Sequence, residues 1–301
     1  MAGRPDGWRG STARDAMSPS TIWSATRGPA CFIGLSVLRL PTPDVAHRRH
    51  CDGQYQASAA NLVLGFLAGD LSDQPDQDEH FGISVLSLNR QLGTSYQSYL
   101  TAWLMHQKLM RTMALKDDEQ PLSVSVQLDD AYLRRRTPGG VGRGSSNKVP
   151  IVAAVSTNPS GHPMRVKLHV IVGFTQEAVT RWARTHLQPG TDVRSDGLAC
   201  FAGVIEAACT HSWIVVGARK PRELPQFNWV NTILGNLKTT LHGAHKAFDF
   251  AKYATHYLGS FAYRFNRRFD PRALFKQVLA DTTLIPPAHE RRIRGGTEVH
   301  D

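Results

Sequence analysis

Oxygen-bearing side chains stand at three places where the sequence predicts a regular element to begin or end. Asp129 and Asp130 close a predicted strand, Asp196 closes another, and Asn231 opens a predicted helix. Carboxylates at the ends of neighbouring strands can converge on one point, and hard oxygen ligands of this kind suit Mg²⁺ or Mn²⁺. Two such ions about 3.5–4 Å apart hold the attacking and leaving oxygens of an in-line phosphoryl displacement. The pattern therefore predicts phosphodiester cleavage or transfer with two divalent ions.

A positive charge follows the last of these residues at a helical spacing. Lys238 comes seven positions after Asn231, which is about two helical turns, so both side chains project from the same face. Gly235 lies between them and leaves room for a nucleic-acid backbone to approach. A cation at this position can hold a DNA phosphate beside the metal ions.

Each of these residues also has a simpler interpretation. Paired Asp residues at a strand end, and Asp before Gly, are common in turns. Asn231 can cap its helix, and Lys238 can be one more solvated charge. Taken separately the signals are weak, and their order and spacing strengthen them together.

The balance of charges points to a polyanionic partner. The 301 residues include 35 Lys and Arg against 25 Asp and Glu, which gives a formal net charge of +10. Nucleic acid is the first expectation and an anionic membrane surface the second. Apolar residues make up 41% of the chain, which excludes wholesale disorder, collagen and coiled coils.

The apolar runs and the cysteines predict where the protein resides. No run reaches the roughly 20 residues that a bilayer helix needs, and the start of the chain lacks the pattern of a secretory signal. We therefore expect no membrane association and a cytoplasmic protein. The four cysteines form no Cys-x-x-Cys pair, so we expect reduced thiols, with Cys200 and Cys209 packed inside the fold and Cys31 and Cys51 in an irregular segment.

The first part of the chain divides into two predicted regions. Residues 1–80 are rich in Gly, Pro, Ser and Arg and are predicted to be atypical and partly disordered. Residues 81–118 carry two predicted helices, one ending at Gly93 and one over 102–113. Two helices joined at a Gly turn resemble a helix-turn-helix DNA-binding segment, and an ordinary helical hairpin is the alternative.

Residues 119–275 are predicted to form an α/β domain, because the hydrophobic period changes from about 3.6 to 2. The predicted strands are 123–128, 149–155, 165–172, 191–194 and 213–217. The predicted helices are one capped by Thr175 and those over 198–209, 229–241 and 247–264. Three successive strands followed by alternating helices and strands predict a mixed sheet with flanking helices. Residues 276–301 are predicted to be a basic C-terminal tail.

Several longer stretches carry a resemblance to a known family. They are 129–133, 142–145, 147–150, 195–197, 227–238 and 263–269. Through them the chain, from about residue 82 to 269, resembles the bacterial insertion-sequence transposases of the DDE type, in the ISXO-like branch where Asn can replace the last acidic residue. The resemblance implies a ribonuclease-H-like catalytic domain that binds two divalent metal ions. It also implies an enzyme that moves its own DNA element by hydrolysis and strand transfer.

The resemblance also implies roles for individual residues. Asp129 matches the first metal-binding Asp and Asp196 the second, while Asn231 matches the third metal position and Lys238 the catalytic basic residue that follows it. Asp130 matches a position that is usually acidic but is not the first catalytic carboxylate. Because Asn231 offers an oxygen without a negative charge, we expect the second metal ion to be held less tightly than in an all-acidic site.

Basic side chains on two predicted helices, or just after the second one, are expected to contact DNA. They are Lys108, Arg111, Arg264, Arg267 and Arg268. Neutralisation of phosphates by such side chains gives sequence-independent, salt-sensitive affinity. The alternative for the C-terminal group is an aromatic stripe in the core with a solvated arginine face, and both can hold at once.

Transposition joins two DNA ends, so we expect a dimer or a larger assembly on DNA, associated with the nucleoid. Two alternatives remain open. One is a catalytically silent DNA-binding remnant, because the first 80 residues lack the cysteine-rich zinc ribbon common in the family. The other is a ribonuclease-H-like nuclease that cuts without strand transfer. Metal-dependent cutting separates the remnant from both enzymes, and a joined product separates the transposase from the nuclease.

Overall fold

The structure is a computed structural model that describes residues 82–92, 99–134, 148–217, 219, 223–245 and 248–295. The predictions for residues 1–80, for the Gly93 turn and for the stretches 142–145 and 147 lie outside the described residues. So do Cys31 and Cys51. None of the helices in the described ranges is long and apolar enough to cross a membrane.

Helices and strands follow the chain in the predicted order. The helices are α1 Val85–Gln91, α2 Tyr99–Asp118, α3 Gln176–His186, α4 Asn228–Gly243, α5 Phe250–Asn266, α6 Pro271–Leu284 and α7 Glu290–Gly295. The strands are β1 Ser125–Arg134, β2 Lys148–Thr157, β3 Pro163–Val170, β4 Asp192–Ser195 and β5 Thr210–Trp213. Two 3-10 helices, Ala199–Ala207 and Pro225–Phe227, complete the described elements.

The strands form one mixed sheet in the order β3-β2-β1-β4-β5. Strand β1 pairs antiparallel with β2, from Ser125 opposite Thr157 to Arg134 opposite Lys148, and β2 pairs antiparallel with β3. Strands β4 and β5 run parallel to β1. This five-stranded sheet with flanking helices confirms the α/β class and the ribonuclease-H-like architecture that the family resemblance implies.

Each face of the sheet packs against its own set of helices, because successive side chains of a strand point to opposite faces. Leu128 and Val152 are fully buried on the face that carries α3 and the longer 3-10 helix. Ile151 and Ala153 are buried on the other face, against the helices α2, α4 and α5. The β1 side chains therefore reach both layers of the core.

The structure corrects the bounds of two predicted strands. Strand β1 was predicted to end before Asp129 but continues to Arg134, so Asp129 and Asp130 lie within it. The last strand is Thr210–Trp213, whereas the sequence predicted 213–217 from its apolar residues. The observed strand lies at the sheet edge and has half-buried or exposed side chains, so it carries no apolar alternation that a sequence pattern could detect. The helix predicted over 198–209 is present as the 3-10 helix Ala199–Ala207. Cys200 and Cys209 are buried free thiols, as predicted.

The region predicted as a C-terminal tail contains two helices. Helix α6 runs over Pro271–Leu284, so the predicted boundary at residue 275 falls inside it. Val278 and Ile293 are buried, and both helices contact α2. This part of the chain therefore packs on the same core as α2 over its described residues.

Helix α2 is held in the core by close packing against α5. Leu109, Met110 and Met113 on α2 are buried. Gly259 on α5 faces Ala114 so closely that any side chain at Gly259 would overlap it. The two helices predicted for residues 81–118 are present, and the longer one is a structural core helix. Its DNA-binding role stays a prediction.

A buried cluster of charged and polar groups fixes the end of α2 to the sheet. The carboxylate of Asp117, which is 2% exposed, accepts hydrogen bonds from Asn266 Nδ2 at 2.9 and 3.0 Å and from Arg267 Nη1 at 3.3 Å. Asn266 also accepts from the Val166 N–H at 2.7 Å and donates to the Val166 carbonyl at 3.0 Å. The fully buried Lys167 donates to the Asp117 carbonyl at 2.7 Å. One asparagine thus joins α2, β3 and α5.

Replacing Asn266 with Ala should lower the free energy of unfolding by about 2–3 kcal/mol, because the Val166 backbone groups and the buried Asp117 lose their partner. Urea unfolding measures this change. Asn236→Ala, at an exposed position of α4, is the matched control and should leave stability within about 0.5 kcal/mol. Equal stability of the two variants would contradict the anchoring role of Asn266.

Candidate metal centre

The parallel pairing of β1 with β4 brings the two predicted Asp ligands together. Leu128 lies opposite Ser195 at the last pair of this register. Asp129 follows Leu128, and Asp196 follows Ser195. Neighbouring strands are about 4.8 Å apart. Two residues that are far apart in the sequence therefore emerge side by side at the end of β4.

Three carboxylates, not two, meet at this point. Asp129, Asp130 and Asp196 each offer an oxygen, and these oxygens all lie within 4.8 Å of one another. The Asp130 N–H donates to Asp129 Oδ1 at 2.9 Å, and the Leu198 N–H donates to Asp196 Oδ1 at 3.1 Å. Sequence reasoning did not include Asp130 among the ligands. Its only signal was its position next to Asp129, since alternation along a strand predicts that adjacent side chains diverge.

The crowding of negative charge changes the titration of Asp129. Burial first, and then the neighbouring Asp196 and Asp130, raise the pKa of Asp129 to about 7. The hydrogen bond from the Asp130 N–H and the positive charge of Lys238 act in the opposite direction. Lys238 is therefore within electrostatic reach of the carboxylate cluster.

Helix α4 is aligned over β1 by a side-chain cap. The Gln127 Oε1 accepts hydrogen bonds from the backbone N–H groups of Trp229 and Val230, both at 3.1 Å. Gln127 precedes Asp129 by two positions and so lies on the same face of β1. The start of α4 is thus fixed beside the strand that carries the carboxylates, a contact that the sequence pattern did not predict.

The two predicted residues of α4 lie on its exposed side. Val230, Ile233 and Leu237 are buried against the core, whereas Asn231 and Lys238 are exposed. The electrostatic effect on Asp129 links Lys238 to the site. Asn231 lies in the first turn of the same helix, and its role as a metal ligand stays a prediction.

The donor set fits divalent cations. Hard carboxylate oxygens are the ligands that Mg²⁺ and Mn²⁺ prefer, and the cluster offers three of them within a few ångströms. A bound cation also relieves the mutual repulsion that, together with burial, raises the pKa of Asp129. Because binding requires ionised carboxylates, metal affinity should increase as the pH rises through about 7.

A second group of possible ligands has a structural role instead. Asp118, His169 and His186 also offer atoms within 4.8 Å of one another. The Trp182 indole N–H donates to His169 Nδ1 at 3.0 Å, so the ring proton is assigned to Nε2, which donates to Asp118 Oδ1 at 2.6 Å. Lys167 Nζ lies 3.6 Å from the same oxygen. Metal-bound histidines instead donate from their second ring nitrogen, so we assign this group to the anchoring of α2 on β3 and α3.

The basic residues expected to contact DNA are largely engaged within the fold. Arg267 stacks over the Tyr263 ring at 3.5 Å and pairs with Asp117. Arg268 donates to the carbonyls of Pro163 and Met164 on β3. Arg267 therefore ties the end of α5 to α2, and Arg268 ties it to the sheet. Contact of both residues with DNA stays a prediction.

The other three basic residues differ in their exposure. Arg111 is buried, Lys108 is half-buried, and the Arg264 guanidinium packs against Gly82 at the start of the described chain. A side chain at Gly82 would overlap this guanidinium. Arg264 therefore supports the segment that precedes α1, and DNA contact by all three residues stays a prediction.

A family model described as the ISXO2-like transposase domain matches residues 121–266. The matched segment covers every strand of the described sheet and ends with the last residue of α5. It therefore includes the carboxylate cluster and both predicted residues of α4. No curated protein matches the chain.

Replacing Asp129 with Asn should remove a pH-dependent loss of stability in metal-free protein. The carboxyl ionises near pH 3.8 in the unfolded chain but only near 7 in the fold, so wild-type stability falls as the pH rises across this window. The variant should match the wild type near pH 4 and exceed it above pH 7 by about 2–4 kcal/mol. Urea unfolding with a chelator measures both profiles.

Asp192→Asn is the matched control, because Asp192 lies on β4, is half-buried and pairs with Arg194 outside the carboxylate cluster. Its profile should run parallel to that of the wild type. If the Asp129→Asn profile also runs parallel to that of the wild type, the pKa of Asp129 is not raised in the fold.

Proposed function

Because residues 121–266 of this chain belong to the ISXO2-like transposase domain family, we propose that the protein is a DDE-type transposase that nicks the ends of an insertion sequence and transfers the freed strands to target DNA. The carboxylate cluster of Asp129, Asp130 and Asp196 is the observation that carries this proposal. Oxygen ligands crowded beside the end of β4 support phosphodiester chemistry better than any other group in the described residues.

Asp129, Asp196 and Asn231 would hold two Mg²⁺ or Mn²⁺ ions, with Asp130 as an additional carboxylate beside them. When bound, such ions activate a water or a 3′ hydroxyl as nucleophile and stabilise the charge on the phosphate. Asp129 must lose its proton to take part, so cleavage should become faster as the pH rises through about 7. Cleavage and strand transfer then use the same carboxylates with two different nucleophiles.

Lys238 would position the DNA backbone. It is exposed on α4, and its charge already acts on Asp129. An ammonium group there attracts a phosphate toward a cluster that would otherwise repel it. DNA is therefore the proposed partner, both as element end and as target. Because two ends must be joined, we infer that at least two copies of the chain act together on DNA.

The decisive experiment is a cleavage and strand-transfer assay on DNA that carries the element's own ends, with Mg²⁺ or Mn²⁺. Asp196→Asn should abolish cutting and joining, because it removes one of the central carboxylates. The matched control is Asp192→Asn on the same strand, which should keep both activities. Joined products that disappear only in Asp196→Asn support the transposase.

Two other outcomes would replace this proposal. Cutting that depends on Asp196 but yields no joined product with any target would identify a nuclease. If the wild type neither cuts nor joins, yet both it and Asp196→Asn bind DNA with the same salt dependence, the chain is a DNA-binding remnant.

Replacing Asn231 with Asp should tighten metal binding. The change adds a negative charge to the exposed face of α4 that also carries Lys238, and affinity for divalent ions rises with the number of charged ligands. We expect Mn²⁺ to bind about tenfold more tightly, as measured by calorimetry.

Asn236→Asp is the control, because Asn236 is exposed on the same helix but points about 140° away from Asn231. An equal gain in both variants would mean that only the overall charge of the helix acts on the metal. In that case Asn231 is not a ligand.

A further inference from the structure

The outer edge of the sheet exposes two large apolar side chains next to the carboxylate cluster. Trp213 is the last residue of β5 and is 62% exposed. Val215, two residues later, is 67% exposed. Single exposed apolar residues are ordinary, but a tryptophan and a valine together form a patch that can receive a partner. The chemistry proposed for the carboxylate cluster does not use this patch.

The position of Trp213 relative to the cluster follows from the sheet register. Trp213 pairs with Ser195, and the Ile214 N–H donates to the Ser195 carbonyl at 2.9 Å. A Cβ at Gly197 would lie 3.6 Å from both the Trp213 ring and a Val215 methyl group. The bend that carries Asp196 therefore lies directly against the indole.

Trp213 lies a few nucleotides away from the proposed position of the reacting phosphate. Strand β5 is two strands away from β1, which is about 10 Å at the usual strand spacing. Successive phosphates of a stacked DNA strand advance about 3.4 Å along the axis. A strand whose phosphate lies at Asp129 can thus bring a base about three nucleotides away to the indole.

A cation borders the same patch. Arg219 is exposed, and its guanidinium donates from Nη2 to the Val215 carbonyl and from Nε to the Val216 carbonyl at 3.2 Å. These bonds hold the charged group beside the apolar side chains. Its other N–H donors make no hydrogen bond to a described residue and can bind a phosphate. An aromatic ring beside a cation is typical of surfaces that bind single-stranded nucleic acid.

We propose that Trp213, Val215 and Arg219, together called the Trp213 surface, bind an unpaired segment of DNA next to the cleavage site. The Trp213 indole stacks on an unpaired base, and Arg219 holds a neighbouring phosphate. This inference rests on the proposed DNA chemistry of the carboxylate cluster. It assigns to the protein a preference for DNA whose strands are separated close to the cut.

DNA fits this surface better than a second copy of the chain. A stable protein interface buries about 800 Å² on each partner, which three side chains do not supply. The chain carries a net charge of +10, so another copy is repelled and a polyanion is attracted. Only an unpaired or terminal base offers a free face for stacking, because bases inside a duplex already stack on their neighbours.

The test measures binding without catalysis, by fluorescence anisotropy in a chelator. Two labelled probes carry the same sequence, one as a fully paired duplex and one as a fork with an unpaired end. Trp213→Ala should weaken binding to the fork about tenfold, the order of one base–aromatic stack, and change binding to the paired duplex much less. Trp213→Phe should keep most of the affinity for the fork, because phenylalanine can still stack.

The control is Leu284→Ala, which removes another exposed apolar side chain, 68% exposed at the end of α6, and should bind both probes as the wild type does. Equal unfolding temperatures of Trp213→Ala, Leu284→Ala and the wild type would show that neither substitution affects folding. If Trp213→Ala binds both probes like the wild type, the Trp213 surface is not a DNA site. If it changes only the sedimentation behaviour, the surface joins copies of the chain.

Failure of the proposed function gives a different result from failure of this inference. A wild-type protein that binds neither probe would overturn the DNA function itself, and with it the Trp213 surface. A wild-type protein that binds both probes while Trp213→Ala loses nothing overturns only the surface. Cleavage activity enters neither readout.

Discussion

Repulsion among Asp129, Asp130 and Asp196 opposes folding, and the sheet must hold these carboxylates within 4.8 Å of one another. Strand β1 can do so because it is paired along both edges, with β2 on one side and β4 on the other. The pKa of Asp129, raised to about 7, shows how strongly the fold resists a further negative charge there. A bound divalent cation reduces this repulsion. The same crowding that lowers stability therefore favours metal binding.

The cluster also repels DNA, which is itself a polyanion, so the affinity for DNA must come from other groups. Lys238 lies within electrostatic reach of the carboxylates, and Arg219 borders the exposed indole of Trp213. Cations around the carboxylate cluster attract the DNA backbone. A phosphate can then lie beside the carboxylates despite their negative charge. Stacking on Trp213 adds affinity that does not depend on salt, because it involves no counterion release.

The arginines at the end of α5 illustrate how tertiary structure changes the meaning of a charge pattern. In the sequence, Arg264, Arg267 and Arg268 form a basic group typical of DNA contact. In the fold, Arg267 neutralises the buried Asp117 and Arg268 binds backbone carbonyls of β3. A buried carboxylate without a cation is costly, so these contacts are a structural requirement whatever else the side chains do. The overall positive charge of the chain remains a valid argument for a polyanionic partner.

The sequence by itself determined the α/β class and the order of helices and strands, and it predicted the convergence of Asp129 with Asp196. These features follow from hydrophobic periods and motifs, which are properties of short, continuous stretches of the sequence. It missed Asp130 in the cluster, the Gln127 cap on α4 and the polar edge strand β5, and it assigned Trp213 to the start of a strand rather than to its exposed end. Only the tertiary structure decided these points. The physical reason is the same for all of them. Strand register and burial depend on contacts between residues far apart in the sequence, and a local sequence pattern does not show which distant residues come into contact.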